Sequence, residues 1–241
     1  MNNAEHPSVR ITDVDQVRTI TIDRAEKSNL LTLEMIAVLA RAFAGTPETA
    51  KAIHFTGTGA DFCKGRDPQG NPVTTNALEL RAALVEPILT LYDAMAACPV
   101  PIVCSARGLS NGLGAALVTA SDISIASTNA RFRLSEMEKN LPPTLAMSAM
   151  MRRVPQKALT FLVLGMDEID AATALSMGLV SSVVEDERLE AEVARYLATL
   201  VARSRPALVA VKDYLRVAPE LGPRSARDLA ANLLAAVLTS Q

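Results

Sequence analysis

Two glycine-marked segments carry the residue types from which an anion site is built: Phe62-Cys-Lys-Gly-Arg-Asp67 and Gly108-Leu-Ser-Asn-Gly-Leu-Gly114. Each follows a short apolar run, and each is expected to turn a strand into a helix. Such a turn points unpaired backbone N–H groups outward, so two of them side by side can hold one developing oxyanion. Gly57, Gly59 and Gly65 let the backbone come close to a ligand or take positive φ. An ordinary strand-to-helix turn uses glycine for the same reason, so both readings stand for the segment alone. Glu136, in Arg131-Phe-Arg-Leu-Ser-Glu136, follows a short strand. It is either a solvated loop charge or, if it faces the two turns, the base for removing a proton next to a carbonyl.

Other chemistries lack their residues. Only His6 and His54 are present, one near the N-terminus and one inside an apolar strand, which leaves little for a Ser-His-Asp or Cys-His system. There is no HExxH, no clustered ligand set and no P-loop lysine, so no metal is expected. The glycines of 108–114 do not keep the GxGxxG spacing of a dinucleotide loop. Lys plus Arg number 24 against 26 Asp plus Glu, a net charge of −2 with both signs interspersed, which gives no nucleic-acid footprint. Cys63, Cys98 and Cys104 are odd in number and lack CxxC spacing, in keeping with a reduced cytoplasmic setting. No signal peptide is evident. The apolar runs stop well short of the ~20 residues needed to cross a bilayer, so a soluble chain without a membrane partner is expected.

The elements that must position the glycine turns follow from periodicity. The composition is 49% apolar but only 3% aromatic, without Trp, so the core is to be built from Ala, Leu, Val, Ile and Met. A hairpin is expected over 9–12 and 17–23, then a helix from Thr32 to about Phe43. Strands are expected at 51–55, 99–105, 123–126 and 179–184. Helices are expected at 76–97 with a kink at Pro87, and at 112–120, 145–153, 155–164, 171–177, 189–202 and 206–214. The segment 215–224, with two prolines and a glycine, breaks the chain before a last helix at 225–238. This rhythm indicates an α/β fold with a mainly parallel sheet, divided into a core over 1–185 and a helical region over 186–241.

Several motifs in order then identify a family. Arg24-Ala-Glu-Lys-Ser-Asn-Leu-Leu31 looks like Arg-Pro-Glu-Lys-x-Asn-Ala-Leu. Thr56-Gly-Thr-Gly-Ala-Asp-Phe-Cys-Lys-Gly-Arg-Asp67 looks like Thr-Gly-x-Gly-x-x-Phe-x-Ala-Gly-x-Asp. Cys98-Pro-Val-Pro-Ile-Val103, the 108–114 turn, Ser121-Asp-Ile123, Ala130-Arg-Phe132, Leu164-Gly165, Ile169-Asp-Ala171 and Met177-Gly-Leu-Val180 continue the series. The chain resembles the crotonase superfamily, the enoyl-CoA hydratase/isomerase proteins, from about Val17 to Asp213. That resemblance implies a spiral of ββα units with a helical C-terminal region that drives a homotrimer or a dimer of trimers. It implies an acyl-CoA thioester as substrate and no further cofactor. The oxyanion hole falls on the backbone N–H groups of Arg66 and Leu113. Lys27, Leu30, Lys64, Gly65, Asp67 and Gly112 fall at CoA or substrate contacts, although a solvated charge is the preferred reading of Lys64.

Of the two glutamates that act in family hydratases, one is kept as Glu136 and the other falls on Ala116. Hydration is pictured with two carboxylates holding the water, whereas one base suffices to move a double bond from the 3- to the 2-position. The resemblance therefore favours isomerisation of an enoyl-CoA, with Glu136 catalytic. The alternatives are a hydratase, or another acyl-CoA lyase or hydrolase, with a substitute acid such as Glu79 or Glu86, and an inactive CoA-binding scaffold.

Overall fold

The computed structural model describes residues 6–240. Strands β1 (Val9–Val14) and β2 (Val17–Ile22) pair as a hairpin whose two turn residues, Asp15 and Gln16, both sit at positive φ, 49° and 65°. A turn of that hand matches the twist of the strands it joins. Helix α1 (Leu33–Ala44) starts where the Thr32 hydroxyl accepts the Met35 N–H, and buries Met35, Ile36, Leu39 and Phe43. The buried Arg18 of β2 donates to the Asp13 carboxylate and to the carbonyls of Ala42 and Gly45, tying the hairpin to the end of α1.

Strand β3 (Ala52–Gly57) leads into the first glycine turn. That turn does not open a helix as the sequence suggested. Pro68 and Pro72 lack the N–H that helical hydrogen bonding needs, Gly70 takes φ +78°, and the next helix, α2 (Ala77–Leu80), begins ten residues after Asp67. The kink expected at Pro87 takes the form of a π-turn over Arg81–Val85, in which the Glu86 N–H reaches back to the Arg81 carbonyl, and α3 (Glu86–Ala97) follows. The chain continues through β4 (Ile102–Ala106), β5 (Leu109–Asn111), α4 (Leu113–Ala120), β6 (Ile123–Ser127) and β7 (Arg131–Arg133). Then come α5 (Thr144–Met150), α6 (Gln156–Gly165), β8 (Ile169–Asp170), α7 (Ala171–Ser176) and β9 (Ser182–Val184). Three helices close it: α8 (Leu189–Val201), α9 (Arg205–Val217) and α10 (Pro223–Thr239).

The main sheet runs β1-β2-β3-β4-β6-β9 and is parallel except at the first hairpin. The strands β5, β7 and β8 form a second sheet that the sequence did not reveal, since runs of two or three residues are too short for alternation to show. Single bridges extend the pattern: Leu31 pairs with Arg66, and Cys63 with Ser110. Strands β2, β3, β4 and β6 are each followed by a short second pairing and a helix, which is the spiral of ββα units. Its stagger brings the 62–67 and 108–114 turns to neighbouring positions.

Phe43, Phe55 and Phe62 stack edge to face at 5.3 and 5.4 Å in the core, fixing the start of the first turn. Helix α8, on the helical side of the expected 185/186 boundary, packs on β3, β4 and β6, with Leu189 and Val193 buried against Val103 and Ile125. Helices α9 and α10 pack mainly on each other. Helix α9 is fastened by Lys212, 8% exposed, whose Nζ bonds the carbonyls of Met95 and Val100 and the Asp122 carboxylate at 2.8 Å. Among the described residues, no helix is long and apolar enough to cross a membrane.

Candidate active site

The first turn is assembled by backbone and framework bonds. The N–H groups of Phe62 and Cys63 bond the carbonyls of Arg107 and Leu109, and Asn111 returns its N–H to the Cys63 carbonyl. On the other side Lys64 N–H bonds Ser28, Leu31 N–H bonds Gly65, and Asp67 N–H bonds Leu31. Gly65 stands at φ +109° with its N–H on the Cys63 sulfur. Within this lattice the Arg66 N–H has no acceptor among the described residues.

The second turn is assembled by close approach. Strand β5 ends at Asn111, Gly112 takes φ +54° with its N–H on the Arg133 carbonyl, and α4 begins at Leu113. Gly114 has no room for a side chain, because a Cβ there would lie 2.0 Å from the Cys63 carbonyl oxygen. Leu113, at the first position of α4, likewise has no acceptor for its N–H. The two free amides therefore belong to segments that are bonded directly to each other.

Glu136 opens a 3₁₀ turn after β7 and lies over the second turn, so close that a Cβ on Gly112 would meet its Oε1 at 2.5 Å. Its Oε2 is buried without a hydrogen-bond partner among the described residues. Burial pushes the carboxyl pKa above the usual carboxylate range, opposed by a hydrogen bond from its own backbone and by Lys139. Ala116 is fully buried on α4 and brings no acid. Glu79 accepts from Thr74 at 2.7 Å, and Glu86 pairs with Arg81 at 2.7 Å, so both candidate substitutes are engaged with local partners.

The remaining sequence candidates separate. Asp67 is 5% exposed, and its carboxylate accepts from the Gln69 N–H and the Arg24 guanidinium, which hold its pKa below the usual range. It braces the first turn rather than facing its open side. Leu30 likewise has its carbonyl on Arg24 and its N–H on Lys27. Lys64 pairs with Asp61 at 2.8 Å. Lys27 is exposed beside Asp67 and its ammonium has no partner among the described residues. The Arg66 side chain bonds the Asp67 carbonyl and Asn71, pinning the loop that follows. Asn29, which the sequence showed only as part of a motif, is fully buried and joins the Arg24 N–H to the carbonyls of Thr58 and Asp61. Tyr92, which the sequence did not single out, is 8% exposed on a face of α3 otherwise made of Ile88, Leu91, Ala94 and Met95.

Among the described residues no group of three or more His, Cys, Asp or Glu is placed to hold a metal ion. What the arrangement can do is stabilise an enolate: two free amides to receive the oxygen and one desolvated carboxylate to move a proton.

The family model described as enoyl-CoA hydratase/isomerase matches residues 13–240. A probable enoyl-CoA hydratase of Rhodobacter capsulatus is 30% identical over 206 residues, 85% of this chain and 79% of the relative. The (E)-benzylidenesuccinyl-CoA hydratase of Thauera aromatica is 33% identical over 200 residues, covering 80% and 75%. An enoyl-CoA hydratase structure from Mycobacterium smegmatis superposes with a TM-score of 0.91 at 25% identity, covering 97% of this chain and 91% of its own.

Proposed function

The chain belongs to the enoyl-CoA hydratase/isomerase family of the crotonase superfamily, and we propose that its reaction is the isomerisation of a 3-enoyl-CoA to a 2-enoyl-CoA. The thioester oxygen lies between the amides of Arg66 and Leu113. The Glu136 carboxylate takes a proton from C2, and the electron pair of that C–H bond flows to the carbonyl, giving a dienolate held by the two amides. Glu136 then returns the proton to C4, the carbonyl re-forms, and the double bond lies between C2 and C3. No cofactor beyond the CoA thioester takes part.

The observation that carries this reading is the single unspent carboxylate: Glu136 Oε2 is buried without a partner, while position 116 holds alanine. Of the CoA contacts suggested by the sequence, Lys27 is the cation free to meet a phosphate. The test is to offer 2-enoyl- and 3-enoyl-CoA side by side to the protein and to Glu136→Gln. We expect turnover of the 3-enoyl substrate and a loss of ~100-fold or more in the variant. Full turnover by the variant would end the assignment.

Hydration is the second reading, favoured by the two relatives whose names describe hydratases. We further propose assembly into a homotrimer or dimer of trimers through α9 and α10. Between them lies an apolar groove of about 300 Å³ whose residues Val211, Leu215 and Leu234 are 61 to 67% exposed. The free cysteines Cys63, Cys98 and Cys104 support a reducing compartment such as the cytoplasm.

A further inference from the structure

We propose that Arg66 selects the substrate with its side chain as well as holding it with its amide: the guanidinium receives a carboxylate carried on the acyl chain, so the preferred substrate is the CoA thioester of an unsaturated dicarboxylic acid. The inference rests on the reading of the Arg66 amide as a donor to the thioester oxygen, and it names the class of acyl group that the site takes.

The guanidinium is held but not neutralised. Arg66 is half-buried, and both hydrogen bonds of its side chain leave from Nη1, to the Asp67 carbonyl at 3.0 Å and to Asn71 Oδ1. Both acceptors are uncharged. Among the described residues Nε and Nη2 make no hydrogen bond and no carboxylate pairs with the group, because the acids of the turn are taken: Asp67 by Arg24 at 2.7 Å and Asp61 by Lys64 at 2.8 Å. A cation partly removed from water without a counter-charge is costly. Burial draws its pKa down, against the opposing pull of Asp67. Arginine nonetheless stays charged at any pH at which the protein works, so its counter-charge must come from outside the chain. Nε and Nη2 share one edge of the guanidinium plane, and their N–H groups form the fork that fits the two oxygens of a carboxylate.

The place of the group says which anion it meets. Arg66 is bridged in parallel to Leu31, and partners in register project their side chains on one face of the pairing. Leu31 is fully buried. The Arg66 stem therefore leaves the turn on the interior side, and its guanidinium stands one side chain's length from the amide assigned to the thioester oxygen. A carboxylate on that fork falls a few carbons along the acyl chain. The CoA phosphates stand at the far end of the pantetheine arm, and the exposed Lys27 is the cation assigned to them.

The experiment pairs 3-hexenoyl-CoA with its counterpart in which the terminal methyl is a carboxylate, and records kcat and KM for both with the native protein, Arg66→Gln and Arg66→Lys. We expect the native protein to prefer the carboxylated thioester, chiefly through KM. In Arg66→Gln that preference, taken as a ratio of kcat/KM values, should fall at least about tenfold, the effect of one lost charged pair. Arg66→Lys, a point charge without the fork, should keep part of it. The ratio cancels any displacement of the Arg66 amide, which slows both substrates alike. Matched unfolding curves check the fold, and the native preference decides by itself where a variant does not fold. A native protein without the preference, or a preference untouched in Arg66→Gln, would overturn the proposal. So would a loss in Arg66→Gln that is equal for both CoA substrates and vanishes with their N-acetylcysteamine thioesters, which carry no phosphate. Binding of the two saturated CoA thioesters, followed by calorimetry, requires no chemistry. If the native protein binds the carboxylated one more tightly through Arg66 yet turns over neither 3-enoyl thioester, the isomerase reading fails and the selectivity stands.

Discussion

Around Cys63–Asp67 the charged side chains all have partners within the fold, with Lys64 on Asp61, Arg66 on the Asp67 carbonyl and Asn71, and Asp67 on Arg24 and the Gln69 N–H. Around Gly108–Gly114 the opposite holds: Ser110 Oγ, Asn111 Oδ1 and Glu136 Oε2 are buried without partners among the described residues. Buried polar atoms without partners cost about 1–3 kcal/mol each. A fold does not keep several of them together unless something binds there or other interactions offset the cost. On the proposed reading the first turn is a rigid wall that offers an amide, and the second turn carries the chemistry at some expense in stability.

Replacing Gly114 with Ala should break the comparison outright. The new Cβ would press on a backbone carbonyl that cannot swing away, separating the two turns. We expect a loss above ~4 kcal/mol in denaturant unfolding, which for most domains means little folded protein.

Glu136→Gln should split activity from stability. Turnover should drop by ~100-fold or more, while the protein unfolds at the same or higher denaturant concentration. The sign follows from the raised carboxyl pKa: protonation favours the folded state, and that contribution is lost as pH rises through the folded value. For the same reason the acid limb of the pH–rate profile should lie above that of an ordinary glutamate, because the base must be ionised to act. A limb at or below the ordinary range would contradict the desolvated site.

Asp67→Asn should show the reverse behaviour. It leaves the half-buried Arg24 without its counter-charge, and we expect a loss of about 2 to 3 kcal/mol at neutral pH. Asp67 has a lowered pKa, so its contribution is present above the ordinary carboxylate range and fades as pH falls through the folded value. The difference between native protein and variant should shrink in acid unfolding series. The smallest effect belongs to Lys64→Ala, whose pair with Asp61 is 39% exposed on the lysine side. Less than ~1 kcal/mol of stability should change, and a large rise in KM for the CoA substrate would show that Lys64 meets the phosphates after all.

The sequence revealed the parts of this site that depend on residue type and local spacing. Gly65, Gly112 and Gly114 sit where approach or positive φ demands them, and Glu136 stands as an acid after a short strand. It did not reveal what long-range packing decides. Nothing near Lys212 signals that its ammonium reaches carbonyls more than a hundred residues away. Ser110 reads as one more turn residue, because periodicity reports which face is buried and not which polar atom is left without a partner. The first turn was expected to open a helix from its glycine alone, whereas Pro68 and Pro72 beyond it govern the backbone there.

The central claim is that Glu136 moves the C2 proton of a thioester whose oxygen rests on the Arg66 and Leu113 amides. It is tested most directly by the rate of deuterium exchange at C2 of a 3-enoyl-CoA in deuterium oxide, followed by mass spectrometry with the native protein and with Glu136→Gln. The account expects exchange catalysed by the native protein and slowed by ~100-fold or more in the variant; equal exchange rates in the two proteins would contradict it.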